Sequence, residues 1–209
     1  MTIERWREIV RETLGLPEDA PLVYLGSGVE ANVFGGEMDG GARVFKYYSE
    51  GPPLQDLERL FRIQEQRSGP ARGLPYTYDV VFLDPEEPPG VVVQERVIRS
   101  SELARPGYPS IQGVDARDLD NALHNVVLTL QEAVGDDDYL HCDDYWNPFE
   151  LGELEEQLLE DLLSGMRSMD PRCDVKWFDV KWENVGIAER RGEPQAVLLD
   201  FTTDWGRYT

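Results

Sequence analysis

The segment Trp177-Phe-Asp-Val-Lys-Trp-Glu-Asn-Val-Gly-Ile187 restricts this chain more than any other stretch. It gathers Asp179, Lys181, Glu183 and Asn184 into a short polar loop, then turns at once into the apolar run Val185 to Ala188. A second apolar run, Ala196 to Leu199, ends in Asp200 beside Phe201. The intervening Arg190-Arg-Gly-Glu-Pro194 has the composition of a turn, so the two runs read as a β-hairpin. A carboxylate and an amide on one tight loop, with another carboxylate just past a hairpin, can converge on a divalent metal and a triphosphate. Mg²⁺ takes few carboxylates and completes its shell with phosphate oxygens and water.

Composition narrows the remaining choices. At 209 residues the chain has length for one full domain or two small lobes. No apolar run approaches the roughly 20 residues that span a bilayer, and Met1 to Trp6 lacks the pattern of a secretory signal. Cys142 and Cys173 are too few for a disulfide framework and have no metal-ligand spacing, so they read as reduced thiols of a cytoplasmic protein. Delivery of such a protein into a host cell stays open. The 41 acidic residues against 20 basic ones, net −21, argue against nucleic acid as a partner, because phosphate contacts need clustered Lys and Arg. Lysine occurs only at 46, 176 and 181. The acidic excess reads either as a solvated face or as a surface for a basic protein.

Taken in order, residues 2 to 14 read as an amphipathic helix, with Ile3, Trp6, Ile9, Val10 and Leu14 on one face and Thr2 as its N-cap. Leu22 to Phe34 reads as strand, glycine turn and returning strand. Gly26 and Gly28 permit backbone close to a ligand, although a plain hairpin accounts for the same residues. Ala42 to Tyr48 is an alternating strand carrying Lys46, whose ammonium beside buried aromatics needs an anion. Leu54 to Gln66 reads as a helix and Ser68 to Gly73 as a polar loop. Tyr76 to Leu83 and Val91 to Ile98 read as strands. Ser100 to Val114 reads as irregular, and Asp115 to Val134 and Pro148 to Met169 as helices with apolar stripes.

That order of pieces resembles the protein kinase superfamily over residues 22 to 204. The glycine turn Gly26-Ser-Gly28 with Val33 after it is similar to the kinase glycine-rich loop, and Lys46 to the third-strand lysine. Asp179-x-Lys181-x-x-Asn184 followed by Asp200-Phe201 is similar to the catalytic loop and metal-binding aspartate. The resemblance implies an α+β, bilobal protein-kinase-like fold. Residues 1–97 would form an N-terminal helix and an antiparallel-sheet small lobe, and 98–209 a reduced helical large lobe. It implies ATP and Mg²⁺ as cofactors. Lys46 would hold the α- and β-phosphates, fixed by Glu58 or alternatively by Glu65. Gln94 would stand at the gatekeeper position, and the backbones of Glu95 and Val97 would hold adenine. Asp179 would orient the acceptor hydroxyl and take its proton, Lys181 would offset charge on the γ-phosphoryl, and Asn184 with Asp200 would hold Mg²⁺.

The sequence departs from the family in four places. Ala31 stands where the third glycine is usual. Trp177 and Phe178 replace the histidine and arginine that normally precede the catalytic aspartate. Thr202 follows Asp200-Phe201 where glycine is usual. Only Phe201 to Thr209 follow Asp200, without the activation segment of full-length kinases, as in minimal bacterial-effector and phage kinases. The expectation is a minimal Ser/Thr-type protein kinase acting on a protein substrate. A pseudokinase or nucleotide-binding interaction module with an acidic surface is the first alternative, and a small-molecule kinase the second.

Overall fold

The computed structural model describes residues 1–27, 31–49, 58, 61, 62, 64–66, 69, 71–83, 90–136, 151–169 and 180–199. The chain is α+β with antiparallel sheets. It divides into two compact units, Met1–Pro70 with Tyr76–Arg96, and Ala71–Pro75 with Val97–Thr209. Among the described residues no helix is long and apolar enough to cross a membrane.

In the first unit, helix α1 (Ile3–Leu14) starts where the Thr2 hydroxyl accepts from the Arg5 N–H at 3.3 Å. Five strands follow: β1 (Val23–Ser27), β2 (Ala31–Met38), β3 (Gly41–Tyr48), β4 (Thr77–Phe82) and β5 (Gly90–Glu95). They form one antiparallel sheet in the order β1-β2-β3-β5-β4, which makes β3 the central strand. Alternation puts Phe34, Phe45, Tyr47, Val91 and Val93 on one face. The apolar stripe of α1, Ile3, Trp6, Ile9, Val10 and Leu14, packs there. Each large side chain so buried contributes about 1.5–3 kcal/mol. The described residues between 58 and 66 are helical.

The second unit holds β6 (Ile98–Arg99), α2 (Ser100–Leu103), α3 (Ala116–Asp136), α4 (Glu153–Met169), a 3₁₀ turn (Trp182–Asn184), β7 (Val185–Arg190) and β8 (Glu193–Leu198). β6, β7 and β8 make a three-stranded sheet in that order. The α3 stripe Leu119, Leu123, Val126 and Leu130 is fully buried, as are Leu158, Leu162 and Met166 of α4.

Three local expectations need correction. Val91 to Ile98 is not one strand. Glu95 spends its N–H on the Tyr76 carbonyl at 2.8 Å and its carboxylate on the Tyr76 N–H at 2.6 Å, which ends the ladder. Val97 is then buried with Ala188 and Val197, and Ile98 pairs with Ile187 of β7. The helix expected from Pro148 begins at Glu153, because Glu155 reaches back to the Gly152 N–H at 2.7 Å and closes the first turn there. Ser100 to Val114, expected to be irregular, opens with the α2 turn, whose first backbone donor at Arg99 is met by the Glu102 carboxylate.

The polar loop expected over Ser68 to Gly73 is a turn at Arg72 and Gly73, and residues 71–75 pack into the second unit as a tether. Ala71 and Leu74 are buried, and residues 71–75 lie within the second unit although the chain on both sides belongs to the first. Arg72 Nε donates to the Asp161 carboxylate of α4, whose other oxygen accepts from the Ala196 N–H of β8 at 3.0 Å. Arg190 of β7 donates to the Ala71 and Leu74 carbonyls, and the Leu198 N–H donates to the Gly73 carbonyl at 2.9 Å. Gly73, at φ +76°, and Gly165 let the tether and α4 touch backbone to backbone. A Cβ on Gly165 would lie 2.7 Å from the Gly73 oxygen.

Gly165→Ala is expected to cost about 2 kcal/mol through overpacking, and Asp161→Ala about 3 kcal/mol by leaving a buried donor and a guanidinium without their acceptor. Urea denaturation checks both. Burial pushes the Asp161 carboxyl above its ordinary range, outweighing the Arg72 bond, the Ala196 N–H and the Arg190 charge. Such a group contributes stability that is full below its unfolded pKa of about 3.9 and is lost as pH rises through the folded value. The stability margin of wild type over Asp161→Asn should therefore shrink as pH rises from about 4.

Candidate functional site

The sheet face opposite α1 is built differently from the face α1 covers. Register places Val33, Lys46 and Val92 in line across β2, β3 and β5. The next line is Gly35, Val44, Gln94 and Thr77. Cross-strand partners share a face, so Val33, Lys46 and Gln94, singled out in sequence as ligand-facing, stand together on it. Gly26 forms a bulge in β1 against Val33, at a φ of +148° that only glycine adopts readily. Gln94 and Thr77 are almost wholly buried. The Gln94 amide donates to the Thr77 hydroxyl at 3.2 Å, and the Thr77 N–H donates to the buried Gln64 side chain at 2.8 Å. This buried polar ladder fixes the helical residue 64 to the sheet.

Glu58 is helical, and its carboxylate is bonded to Arg62 one turn on. Glu65 is exposed. The two glutamates are seven residues apart, two helical turns, and therefore lie on one stripe beside that of Gln64.

In the second unit, the loop 180–184 and the β7–β8 hairpin form one hydrogen-bonded group. The Asn184 N–H donates to the Lys181 carbonyl at 2.9 Å. β7 and β8 pair from Val185–Leu198 to Arg190–Glu193 around a turn at Arg191 and Gly192, both at positive φ. Beyond that ladder the Leu199 N–H donates to the Asn184 carbonyl at 2.7 Å. Asn184 and Leu199 are thus paired at the open end of the hairpin. Lys181 is exposed, whereas Val180 and Val185 are buried on either side.

Side chains from the helices hold this loop. Gln131 of α3 donates to the Val180 carbonyl at 3.0 Å, and the Ser100 hydroxyl of α2 donates to the Trp182 carbonyl at 3.2 Å. The exposed His124 ring meets Trp182 edge to face, with centroids 5.0 Å apart. One turn before His124, burial raises the Asp120 carboxyl above its usual range, partly offset by the His124 charge.

Asp179, Asp200 and Gly28 lie outside the described residues, as do Cys142 and Cys173. Among the described residues no three His, Cys, Asp or Glu side chains gather as a metal site. The described donor nearest that chemistry is Asn184. Its amide oxygen is a hard donor of the kind Mg²⁺ takes, and Asp200 directly follows its backbone partner Leu199 in the sequence. Sequence reading missed Gln64, Thr77, Gln131 and Ser100. The available signal was a lone polar residue interrupting or flanking an apolar pattern, which marks a position without naming its partner.

Thr77→Val should cost about 1–2 kcal/mol, because the buried Gln94 amide loses its acceptor. Equilibrium unfolding measures this, with Gln94→Leu in the Thr77→Val background expected to restore part of it.

No protein-family model matches this sequence, and no curated protein matches it either.

Proposed function

We propose that this chain is a Mg-ATP-dependent protein kinase of Ser/Thr type, with a bilobal protein-kinase-like fold. The observation that most supports this reading is the Leu199 to Asn184 bond of 2.7 Å. It pairs the end of the polar loop with the residue before Asp200, as a two-ligand metal site requires. The shared face of Val33, Lys46 and Gln94 supports it from the first unit. Bound Mg²⁺ would supply charge neutralisation between the β- and γ-phosphates.

On this reading Lys46 holds the α- and β-phosphates, and Val33 and Gln94 line the base. Because the Glu95 N–H is bonded to Tyr76, the adenine contact at Glu95 falls to its carbonyl, with Val97 supplying the N–H. Asn184 and Asp200 hold the metal. Asp179 aligns the acceptor hydroxyl and accepts its proton as oxygen attacks the γ-phosphorus and the β–γ bond breaks. Lys181 offsets the charge on the transferred group. The acceptor is a protein side chain, and the acidic balance of the chain suits a basic one.

A second reading is a pseudokinase that binds nucleotide without turnover, favoured by Trp177 and Phe178 in place of the usual histidine and arginine. The exposed Glu58–Arg62 pair bears little on the choice, because an i,i+4 pair is worth about 0.3–0.5 kcal/mol.

Transfer from γ-labelled ATP with Mg²⁺ tests the proposal, using the protein alone, a generic basic protein and a cell lysate. Label should appear with wild type and fall by at least about 100-fold in Asp179→Ala and in Asp200→Ala. Unchanged transfer in Asp179→Ala overturns the proposal. Mg-dependent thermal stabilisation by ATP without any transfer selects the second reading.

A further inference from the structure

Four backbone carbonyls of the 180–184 loop accept hydrogen bonds, and two of the donors are side chains from outside the loop. Asn184 caps Lys181, and Leu199 caps Asn184, both backbone to backbone. Val180 and Trp182 instead take Gln131 and Ser100. The Val180 carbonyl belongs to the peptide that joins Val180 to Lys181, and Asp179 is its other neighbour. Two positions further, the Trp182 carbonyl opens the turn to Asn184. The two anchors therefore fix the peptide that carries Lys181 and the one that opens the turn to Asn184. Of the residues that precede the aspartate here, Phe178 carries no side-chain donor and Trp177 a single indole N–H, against the five of an arginine.

We propose that Gln131 and Ser100 are positioning residues for phosphoryl transfer, which hold the loop from helices α3 and α2 through the Val180 and Trp182 carbonyls. The proposal rests on the reading of Asp179 to Asn184 as the catalytic loop. The helix side chains act on the backbone and touch neither nucleotide nor acceptor. Their removal should leave ground-state binding alone and reduce the fraction of bound complexes that are aligned to react. Small misplacements of this kind reach about 100-fold in rate.

Gln131→Met keeps the length of the side chain without its donor, and Gln131 is exposed, so the variant should fold. Ser100→Ala removes the second anchor. Each should lower kcat about tenfold with KM for ATP unchanged, and the double variant should show less than the product of the two, because both hold one loop. Gln131→Glu gives a readout that packing alone would not move. Its carboxylate repels the Val180 carbonyl when ionised and donates to it when protonated, so its kcat relative to wild type should rise as pH falls toward about 5. Amide exchange at Asn184, followed alongside, should be faster in both single variants. Unchanged kcat in the double variant, or a pH-independent Gln131→Glu ratio, overturns the proposal. If wild type transfers no phosphate, the kinase reading fails by itself. Exchange then decides the anchoring alone: faster exchange at Asn184 upholds it, and unchanged exchange overturns it.

Discussion

A buried carboxylate holds the second unit together. Asp161 has no exposed surface, yet it ties α4 to the tether 71–75 through Arg72 and to strand β8 through Ala196. Arg190 closes the same group from β7 by donating to the tether's carbonyls. Ion pairs of this kind add little net stability, because desolvation offsets much of the attraction. Their effect here is register. The tether, the helix and the hairpin can meet in only one alignment if every one of these donors is to find its acceptor. Gly73 and Gly165 remove the side chains that would prevent it. The hairpin so fixed is the one whose open end carries Asn184.

The two faces of the first unit's sheet are built from unlike residues. One face of β2, β3 and β5 is apolar and covered by α1. The other combines valines with Lys46 and the Gln64–Thr77–Gln94 ladder, polar groups that cost too much to bury without partners. Charge sharpens the contrast. A chain of net −21 raises the local concentration of cations and repels polyanions. On the proposed reading two of its three lysines, 46 and 181, serve the triphosphate.

Much of the fold was legible because its signals are local. The 3.6-residue stripes of α1, α3 and α4 and the two-residue alternation of β3 each follow from one stretch of sequence. Of the candidate site, the residue types and their order were legible, while the shared face of Val33, Lys46 and Gln94 comes only from the strand register. What sequence could not reveal depends on pairing at a distance. Arg72 and Asp161 are 89 residues apart, and nothing around either names the other. The tether reads as a loop because glycine and proline punctuate residues 68 to 75. Its burial arises from contacts with α4 and the hairpin. The break after Glu95 was hidden for the same reason, since the polar Gln94-Glu95-Arg96 between apolar ends does not say where pairing stops, and only the Tyr76 bonds end the ladder. Gln131 and Ser100 escaped notice because a single glutamine on a helix face looks solvated until its carbonyl partner is known.

On the proposed reading, metal and nucleotide meet at the open end of the β7–β8 hairpin. Paramagnetic broadening by Mn²⁺ in the presence of ATP, read on assigned amide resonances, tests it most directly. Broadening centred on the Asn184 side-chain amide and the Leu199 N–H, dependent on ATP and lost in Asp200→Ala, is the expected result. Broadening centred elsewhere, or none at either residue with ATP bound, contradicts it.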